Sequence, residues 1–186
     1  MLNLKQLLYS DLARQYELEG RTNAPPTFFG FTCRLLHPRF LPIVLCRGSR
    51  WARLHGIPIL PRLLTYLNIL LFGLEVSPRC EIGPGIFFPH TSGTVIGASR
   101  IGSKVTVFQG VTLGAKKLDI GFDSALRPEV GDSVILGAGC KVLGGIRIGD
   151  NVTVGANSVV LDSIKPNTTV AGIPAREIVS TARGTQ

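Results

Sequence analysis

The sequence predicts a mainly β fold, a parallel β-helix of six-residue repeats with an α-helical cap at its N-terminus. Aliphatic residues recur at every sixth position after Glu75, a period typical of stacked coils. The chain contains 22 glycines but only 7% aromatic residues, which favours tight corners and branched side chains. We therefore expect a helical cap over residues 1–74 and a β-helix over residues 75–186.

The predicted cap begins with an amphipathic helix. The stretch LNLKQLLYSDLARQYELEG carries apolar residues at helical spacing and ends at Gly20. Two or three short helices are expected in the rest of the cap, because prolines interrupt it at Pro38, Pro42, Pro58 and Pro61. The longest apolar run extends from Leu63 to Val76, but it contains Asn68 and is short for a membrane span.

The six-residue repeat predicts which side chains face the interior of the β-helix. Its inward positions form three sets: Val76, Ile82 and Phe88; Val95, Ile101, Val107 and Leu113; and Val130, Leu136, Val142, Ile148, Val154 and Val160. Three repeats close one triangular coil, so stacked coils bury a continuous aliphatic column. The step from Phe88 to Val95 is seven residues instead of six, which predicts one inserted residue beside His90.

The period fails over GAKKLDIGFDSALRPE, between Leu113 and Val130. This failure predicts that residues 115–129 leave the β-helix as an extruded loop. Long ordered loops commonly carry function, and a plain surface insertion is the alternative. The coils resume at Val130 and are followed by a C-terminal tail.

The net charge of +8 is concentrated in one part of the cap. Between Gly20 and Leu74 there is no acidic residue, whereas seven arginines occur there: Arg21, Arg34, Arg39, Arg47, Arg50, Arg53 and Arg62. This distribution suits either an anionic partner, such as a phosphate-bearing ligand or an acidic membrane, or a solvated face whose side-chain stems pack on apolar neighbours. Nucleic acid is not expected, because the interleaved aromatic residues and the motifs of nucleic-acid readers are absent.

His90, in the stretch GIFFPHTSGTVIG, is the candidate catalytic residue. The other two histidines, His37 and His55, lie in the cap, so the coils lack the cluster that a zinc site needs and we expect no metal. The inserted residue lets the side chain of His90 project outward, where an imidazole can take a proton from a hydroxyl. Glu75, about one coil earlier, is a candidate to orient that imidazole, the alternative being an ordinary surface acid.

Other routes to catalysis lack their motifs. The sequence has no G-x-S-x-G nucleophile and no G-x-x-x-x-G-K-[ST] phosphate loop. The four cysteines, Cys33, Cys46, Cys80 and Cys140, have no paired spacing and are interpreted as buried reduced thiols of a cytoplasmic protein. No secretory signal is recognised. A peripheral contact of the arginine-rich cap with the inner membrane face is the further expectation on location.

Four stretches, GPGIFFPHTSGTVIG, VTVFQGVTLGA, VILGAGCKVLGGIRIGDNVTVGANSVVL and VAGIPAREI, together resemble the serine acetyltransferase family of hexapeptide-repeat acyltransferases. The resemblance covers the chain from about residue 60 onward and implies that the β-helix is left-handed. It also implies an O-acetyltransferase that uses acetyl-CoA. The expected assembly is a homotrimer, or a dimer of trimers, with active sites between neighbouring β-helices.

The resemblance also implies roles for individual residues. His90 matches the general base of the family, Glu75 the carboxylate that orients it, and Gly93 the glycine of the H-x-x-G stretch at the acceptor site. The small residues that leave room for the pantetheine arm of acetyl-CoA match Gly114, Ala115, Ala138 and Ala156, and Arg176 is a candidate for contact with a CoA phosphate.

Two departures from the family pattern concern the acceptor. Pro89 stands where family members usually carry an aspartate, and the loop has Arg127 before Pro128 where they carry Arg-His-Pro. A proline cannot pair with an ammonium group, whereas Arg127 is able to bind a carboxylate or a sugar hydroxyl, or to brace the loop. We therefore expect transfer to a sugar or glycan hydroxyl, as in a cell-surface polysaccharide precursor.

Two alternatives to a sugar acceptor stay open. The first is serine O-acetylation in cysteine biosynthesis; the tail ARGTQ lacks the terminal isoleucine with which family members dock cysteine synthase, which counts against that complex. The second alternative is a non-catalytic scaffold that uses the β-helix only to form trimers.

Overall fold

The structure, a computed structural model, describes residues 2–21, 28–35 and 37–178. Residues 22–27 of the proline-rich stretch and the tail ARGTQ lie outside the described residues. The helices are α1 (Leu4–Leu18), α2 (Phe28–Arg34), α3 (Leu41–Leu54) and α4 (Leu60–Phe72), and the strands are β1 (Leu74–Val76), β2 (Glu81–Ile82), β3 (Thr94–Ile96), β4 (Arg100–Ile101), β5 (Thr106–Val107), β6 (Thr112–Gly114), β7 (Glu129–Val130), β8 (Ile135–Leu136), β9 (Lys141–Leu143), β10 (Arg147–Ile148), β11 (Thr153–Val154), β12 (Val159–Val160), β13 (Thr169–Gly172) and β14 (Ala175–Glu177). A short 3₁₀ helix, Ser124–Leu126, lies in the loop between β6 and β7.

The strands form the three faces of a left-handed parallel β-helix, which confirms the predicted fold. Sheet A contains β1, β3, β6, β9 and β12; sheet B contains β2, β4, β7 and β10; and sheet C contains β5, β8, β11, β13 and β14. Paired strands are parallel except β13 and β14, which are antiparallel. Each coil passes from sheet A to B to C, so the β-helix has an A–B, a B–C and a C–A edge.

The interior of the β-helix is a column of aliphatic side chains. All the predicted inward residues are buried except Val95, whose side chain is 38% exposed. Its neighbour Ile96 is 1% exposed and takes the inward place, so the prediction for Val95 is wrong. The period slips twice here: eight positions separate Phe88 from Ile96, and only five separate Ile96 from Ile101.

The coil that carries His90 is longer than a regular coil. Val76 on β1 pairs with Ile96 on β3, 20 positions further along the chain, whereas Val142 pairs with Val160, 18 positions further along. The two extra residues lie between sheets C and A, so they widen the C–A edge where His90 occurs. The six-residue period alone placed one inserted residue there.

The cap packs four helices over the start of the β-helix. Helix α1 begins with a capping box, in which Asn3 and Gln6 exchange side-chain to backbone hydrogen bonds of 2.9 Å. The buried residues that join α1 to the rest of the cap are Leu8, Leu12, Tyr16 and Phe40. Helices α3 and α4 each have a proline in the first turn, where no backbone N–H is needed. Asn68, the polar residue of the long apolar run, is buried and donates to the Pro42 carbonyl at 3.1 Å.

A buried ion pair joins the cap to the first coil. Arg47 of α3 donates from Nε to Asp11 Oδ2 at 2.9 Å and from Nη2 to Asp11 Oδ1 at 3.0 Å. Asp11 Oδ1 also accepts the backbone N–H groups of Gly85 at 2.8 Å and Ile86 at 3.1 Å, and Arg47 donates to two carbonyls of the same corner. Burial raises the pKa of Asp11, and Arg47 opposes that rise. The pair therefore fixes α1 and α3 against one corner of the β-helix.

Three of the four cysteines are buried thiols. Burial raises the pKa of each of them, Cys46, Cys80 and Cys140, to about 12. Cys33 is exposed on the seven-residue helix α2, so the prediction that all four are buried is wrong for Cys33. In the part of the chain that the structure describes, no helix is long and apolar enough to span a membrane.

Replacement of Arg47 tests the junction between cap and β-helix. The substitution Arg47→Met leaves the carboxylate of Asp11 buried without its cation, and we expect the free energy of unfolding to fall by about 3–5 kcal/mol. Urea unfolding followed by circular dichroism measures this change. Arg53→Met is the matched control, because Arg53 is an exposed arginine of the same helix. Equal losses in the two variants would show that the ion pair does not hold the junction.

Candidate active site

His90 lines a cavity of about 700 Å³ between the cap and the C–A edge of the β-helix. The end of α4 forms one wall (residues 69–73), the turn before α3 forms another with Pro38 and Arg39, and residues 88–92 of the first coil complete it. His90 itself is exposed. A cavity of this size is typical of sites for small ligands.

The corner that carries His90 is tied to the end of α4. Thr91 Oγ1 donates to the Phe72 carbonyl at 2.8 Å, which satisfies one of the free carbonyls at the helix end. Gly73 then ends the helix in the left-handed conformation, with φ of 61°. A Cβ at Gly73 would lie 3.3 Å from the backbone of both Ser92 and Gly93, so a glycine is required for this close approach.

Glu75 does not contact His90 in the chain as the structure describes it. It is exposed on β1, opposite Val95 of β3, and is not among the residues that line the cavity. No hydrogen bond joins the side chains of His90 and Glu75 within the described residues, so orientation of the imidazole by Glu75 stays a prediction. Gly93 is exposed at the same corner with φ of 70°, a conformation that glycine adopts without strain.

The small residues predicted to bind CoA lie on both edges of sheet A. Ala138 and Ala156 belong to the C–A edge, where corner residues of successive coils stack below the His90 corner. Backbone hydrogen bonds of 2.8–3.0 Å connect these corners in turn: Gly110 to Ser92, Gly139 to Gln109, and Asn157 to Ala138. Gly114 and Ala115 lie at the A–B edge, across the width of sheet A. One chain thus places His90 on the same edge of the β-helix as two of these four residues.

The environment of Gly114 differs from that of a structural glycine. A Cβ at Gly114 would meet no atom within 4 Å, and its φ is not in the left-handed region, so the fold itself does not require glycine there. At Gly137, by contrast, a Cβ would lie 2.6 Å from the Val154 carbonyl oxygen of the next coil. The open space beside Gly114 fits the prediction that a ligand occupies it.

Arg127 braces the extruded loop. Its Nε donates to Asp119 Oδ2 at 2.9 Å, its Nη2 to the Asp119 carbonyl at 2.9 Å, and its Nη1 to the Gly97 carbonyl at 3.0 Å. The guanidinium also lies over the ring of Phe122, 4.1 Å from its centroid. Burial raises the pKa of Asp119, but hydrogen bonds from Arg127 and a backbone N–H outweigh burial and hold that pKa below 3.8. The charge of Arg127 is therefore neutralised within the loop, at the edge of sheet A opposite to His90.

Arg176 lies at the C-terminal end of the β-helix. It is exposed on β14, and its Nη1 donates to the Ala175 carbonyl at 3.0 Å. Its predicted contact with a CoA phosphate stays a prediction. Over residues 2–21, 28–35 and 37–178, no group of three or more His, Cys, Asp and Glu side chains is placed to hold a metal ion.

The arginines of the acid-free cap segment are used in three ways. Four contact other groups of the chain: Arg21 stacks on Tyr16, Arg34 pairs with Glu19, Arg47 pairs with Asp11, and Arg50 donates to the carbonyls of Arg79 and Cys80. Arg53 and Arg62 are exposed beside a separate cavity of about 540 Å³. Arg39 lines the cavity of His90. The sequence offered only one signal for Arg39, its place among seven arginines in a segment without acidic residues.

The comparisons with known proteins agree with this architecture. Residues 127–162 match the family described as "Bacterial transferase hexapeptide (six repeats)". The serine acetyltransferase of Synechococcus elongatus is 43% identical over 151 residues, which are 80% of this chain and 60% of that protein. The structure of soybean serine acetyltransferase complexed with serine is 31% identical, with a TM-score of 0.79 over 94% of this chain and 69% of that one. The chain belongs to the serine acetyltransferase family.

Membership of the serine acetyltransferase family confirms the resemblance found in the sequence. Another family structure, a serine acetyltransferase in complex with CoA, is 28% identical to this chain, with a TM-score of 0.79 over 94% of this chain and 69% of that one. The chain spans about 60% of the length of the Synechococcus serine acetyltransferase.

The loop contact of Asp119 gives a pH-dependent prediction. Because the pKa of Asp119 is lowered in the folded chain, its stabilising contact is complete above pH 3.8 and is lost as the pH falls through the lower folded pKa. We expect Asp119→Asn to speed amide hydrogen exchange in residues 116–127 about tenfold at pH 7, since a charge-assisted hydrogen bond is lost. Acidification of the wild-type chain below the folded pKa of Asp119 should lower the protection of these amides relative to their intrinsic exchange rate at the same pH.

Mass-resolved hydrogen exchange measures this loop, with Asp162→Asn, at an exposed aspartate outside it, as the control. Unchanged exchange in Asp119→Asn would contradict the bracing role of Arg127.

Proposed function

We propose that the protein transfers the acetyl group of acetyl-CoA to the hydroxyl of serine, with His90 as the general base. The observation that carries this proposal is the exposed imidazole of His90 in a cavity between the cap and the β-helix. The names of the relatives support the reaction, and the structures of relatives with serine and with CoA support the two substrates.

In the proposed reaction, His90 takes the proton of the serine hydroxyl while that oxygen attacks the thioester carbonyl. The C–O bond forms and the C–S bond breaks, and the imidazolium of His90 then gives the proton to the departing CoA sulfur. The products are O-acetylserine and CoA. No covalent intermediate with the protein is needed, in keeping with the absence of a nucleophile motif in the sequence.

The placement of the small residues supports a homotrimer as the active form. Ala138 and Ala156 share the C–A edge with His90, whereas Gly114 and Ala115 lie on the A–B edge. We propose that the C–A edge of one copy faces the A–B edge of the next, which would set the open space beside Gly114 opposite His90. Large apolar side chains are exposed on α4, among them Tyr66, Leu70 and Leu71, and such an assembly would give them a surface to contact. Pairing of two trimers stays a prediction.

The other expectations receive less support. A sugar or glycan acceptor, inferred from Pro89, gains nothing from relatives that are named for serine. Peripheral membrane contact is left out of the proposal because four of the seven cap arginines contact groups of the chain. Location in the cytoplasm stays a prediction, and a non-catalytic scaffold would make His90 dispensable.

Replacement of His90 tests the proposed base. We expect His90→Ala to lower kcat for acetyl transfer to serine by about 10²- to 10⁴-fold, because proton removal by a positioned base contributes this much. Release of free CoA, measured with a thiol reagent, follows the reaction. His55→Ala is the control, since His55 is an exposed histidine of the cap outside this cavity. Undiminished transfer by His90→Ala would refute the role of the imidazole.

A larger side chain at Gly114 tests the proposed CoA groove. Because a Cβ at Gly114 meets open space, we expect Gly114→Val to keep the thermal midpoint of the wild type and to raise the KM for acetyl-CoA at least about tenfold, with the KM for serine little changed. Gly137→Ala is the contrasting variant, with a lower thermal midpoint because its Cβ meets a backbone carbonyl. An unaltered KM for acetyl-CoA in Gly114→Val would place the groove elsewhere.

A further inference from the structure

The described side chains that line the cavity of His90 include a positive charge but no negative charge. Among the described residues that line it, Arg39 is the one permanent cation, and none is aspartate or glutamate. The remaining lining consists of apolar side chains, backbone, and the hydroxyls of Thr91 and Ser92. Thr91 already donates its hydroxyl to the end of α4. Among the described residues of one chain, a ligand in this cavity therefore meets a base and a positive charge, but no negative side chain.

The backbone of Arg39 is held firmly by the cap. Its carbonyl accepts a hydrogen bond of 2.9 Å from Nε2 of the buried Gln15, and its N–H donates to His37 Nδ1 at 3.3 Å. The next residue, Phe40, is fully buried and packs edge to face on Phe31, with 5.7 Å between ring centroids. The side chain of Arg39 starts from a fixed point beside the cavity.

The guanidinium of Arg39 is available to a ligand. Among the residues that the structure describes, no carboxylate lies within ion-pair distance of it. Its charge is not neutralised, in contrast to that of Arg127, which Asp119 pairs at 2.8 Å. Within one chain, Arg127 also lies at the A–B edge, whereas Arg39 and His90 line the same cavity.

We propose that Arg39 binds the carboxylate of the acceptor, so that the site selects hydroxyl compounds that carry a negative charge. The inference rests on the proposed function, because it takes serine as the acceptor and assigns the carboxylate of serine to Arg39. A guanidinium binds a carboxylate through two parallel hydrogen bonds, which fix orientation as well as charge. With the carboxylate on Arg39 of the cap, the hydroxyl of serine is directed to His90 of the β-helix.

The absence of an acidic residue in the described lining strengthens this assignment. The described residues of one chain that line the cavity offer no carboxylate to the ammonium group of serine, and Pro89 beside His90 offers none. Within one chain, the site therefore recognises the charge of the acceptor through its carboxylate and not through its ammonium group. A hydroxy acid without an ammonium group is a substrate of the same class.

Steady-state kinetics with paired acceptors tests the proposal. Serine and serinamide differ by the carboxylate, and glycerate and glycerol form a second pair of this kind. We expect Arg39→Ala to raise the KM for serine about 10- to 100-fold, the range of a charge-assisted contact, while the KM for serinamide and for acetyl-CoA stays within about twofold. Arg39→Lys should recover part of the affinity, because it keeps the charge and loses the two-point geometry.

Arg62→Ala is the matched control, since Arg62 is an exposed arginine of the cap that lines a different cavity. Equal changes for serine and serinamide, or no change for either, would overturn the role of Arg39. Wild-type turnover of glycerate but not serine would refute serine as the acceptor. In that case, loss of the preference for glycerate over glycerol in Arg39→Ala would still support the binding of a carboxylate by Arg39. Turnover of neutral acceptors alone, or of none of the four, would overturn the inference.

Discussion

The buried pair of Asp11 and Arg47 determines where the cap lies on the β-helix. Its two side chains come from α1 and α3, and both also bond to the backbone of one corner in the first coil. Two charges withdrawn from water are tolerated only where such a set of partners surrounds them. The turn with Arg39 leads directly into α3, so the same contacts set the distance between Arg39 and the first coil.

The β-helix supplies the other half of the site by departing from its own repeat. Regular coils present smooth edges, because each corner stacks on the one before it. The coil with His90 carries two additional residues at the C–A edge, and the hydroxyl of Thr91 and the glycine at Gly73 join this wider corner to α4. The site thus arises where a regular element is interrupted and a second element covers the interruption.

The sequence predicted the parts of the molecule that depend on local pattern. The six-residue period predicted the buried column, and it also predicted that His90 projects outward, as the structure has it. The period failed at Val95, because two insertions and one deletion near the same corner look like a single shift in phase. The role of Arg127 in the loop depends on Asp119, and Arg39 shares a cavity with His90 because distant segments pack together. Neither arrangement depends on a repeated spacing of residues, so neither could be predicted from the sequence pattern.

The most direct test is a crystal structure of the protein with serine and CoA bound. The account predicts that serine occupies the cavity between the cap and the β-helix. Its hydroxyl oxygen should lie within hydrogen-bond distance of an imidazole nitrogen of His90, with the carboxylate on the guanidinium of Arg39. Serine bound away from this cavity, serine with its hydroxyl remote from His90, or serine with its carboxylate held by Arg127 instead of Arg39 would contradict the account.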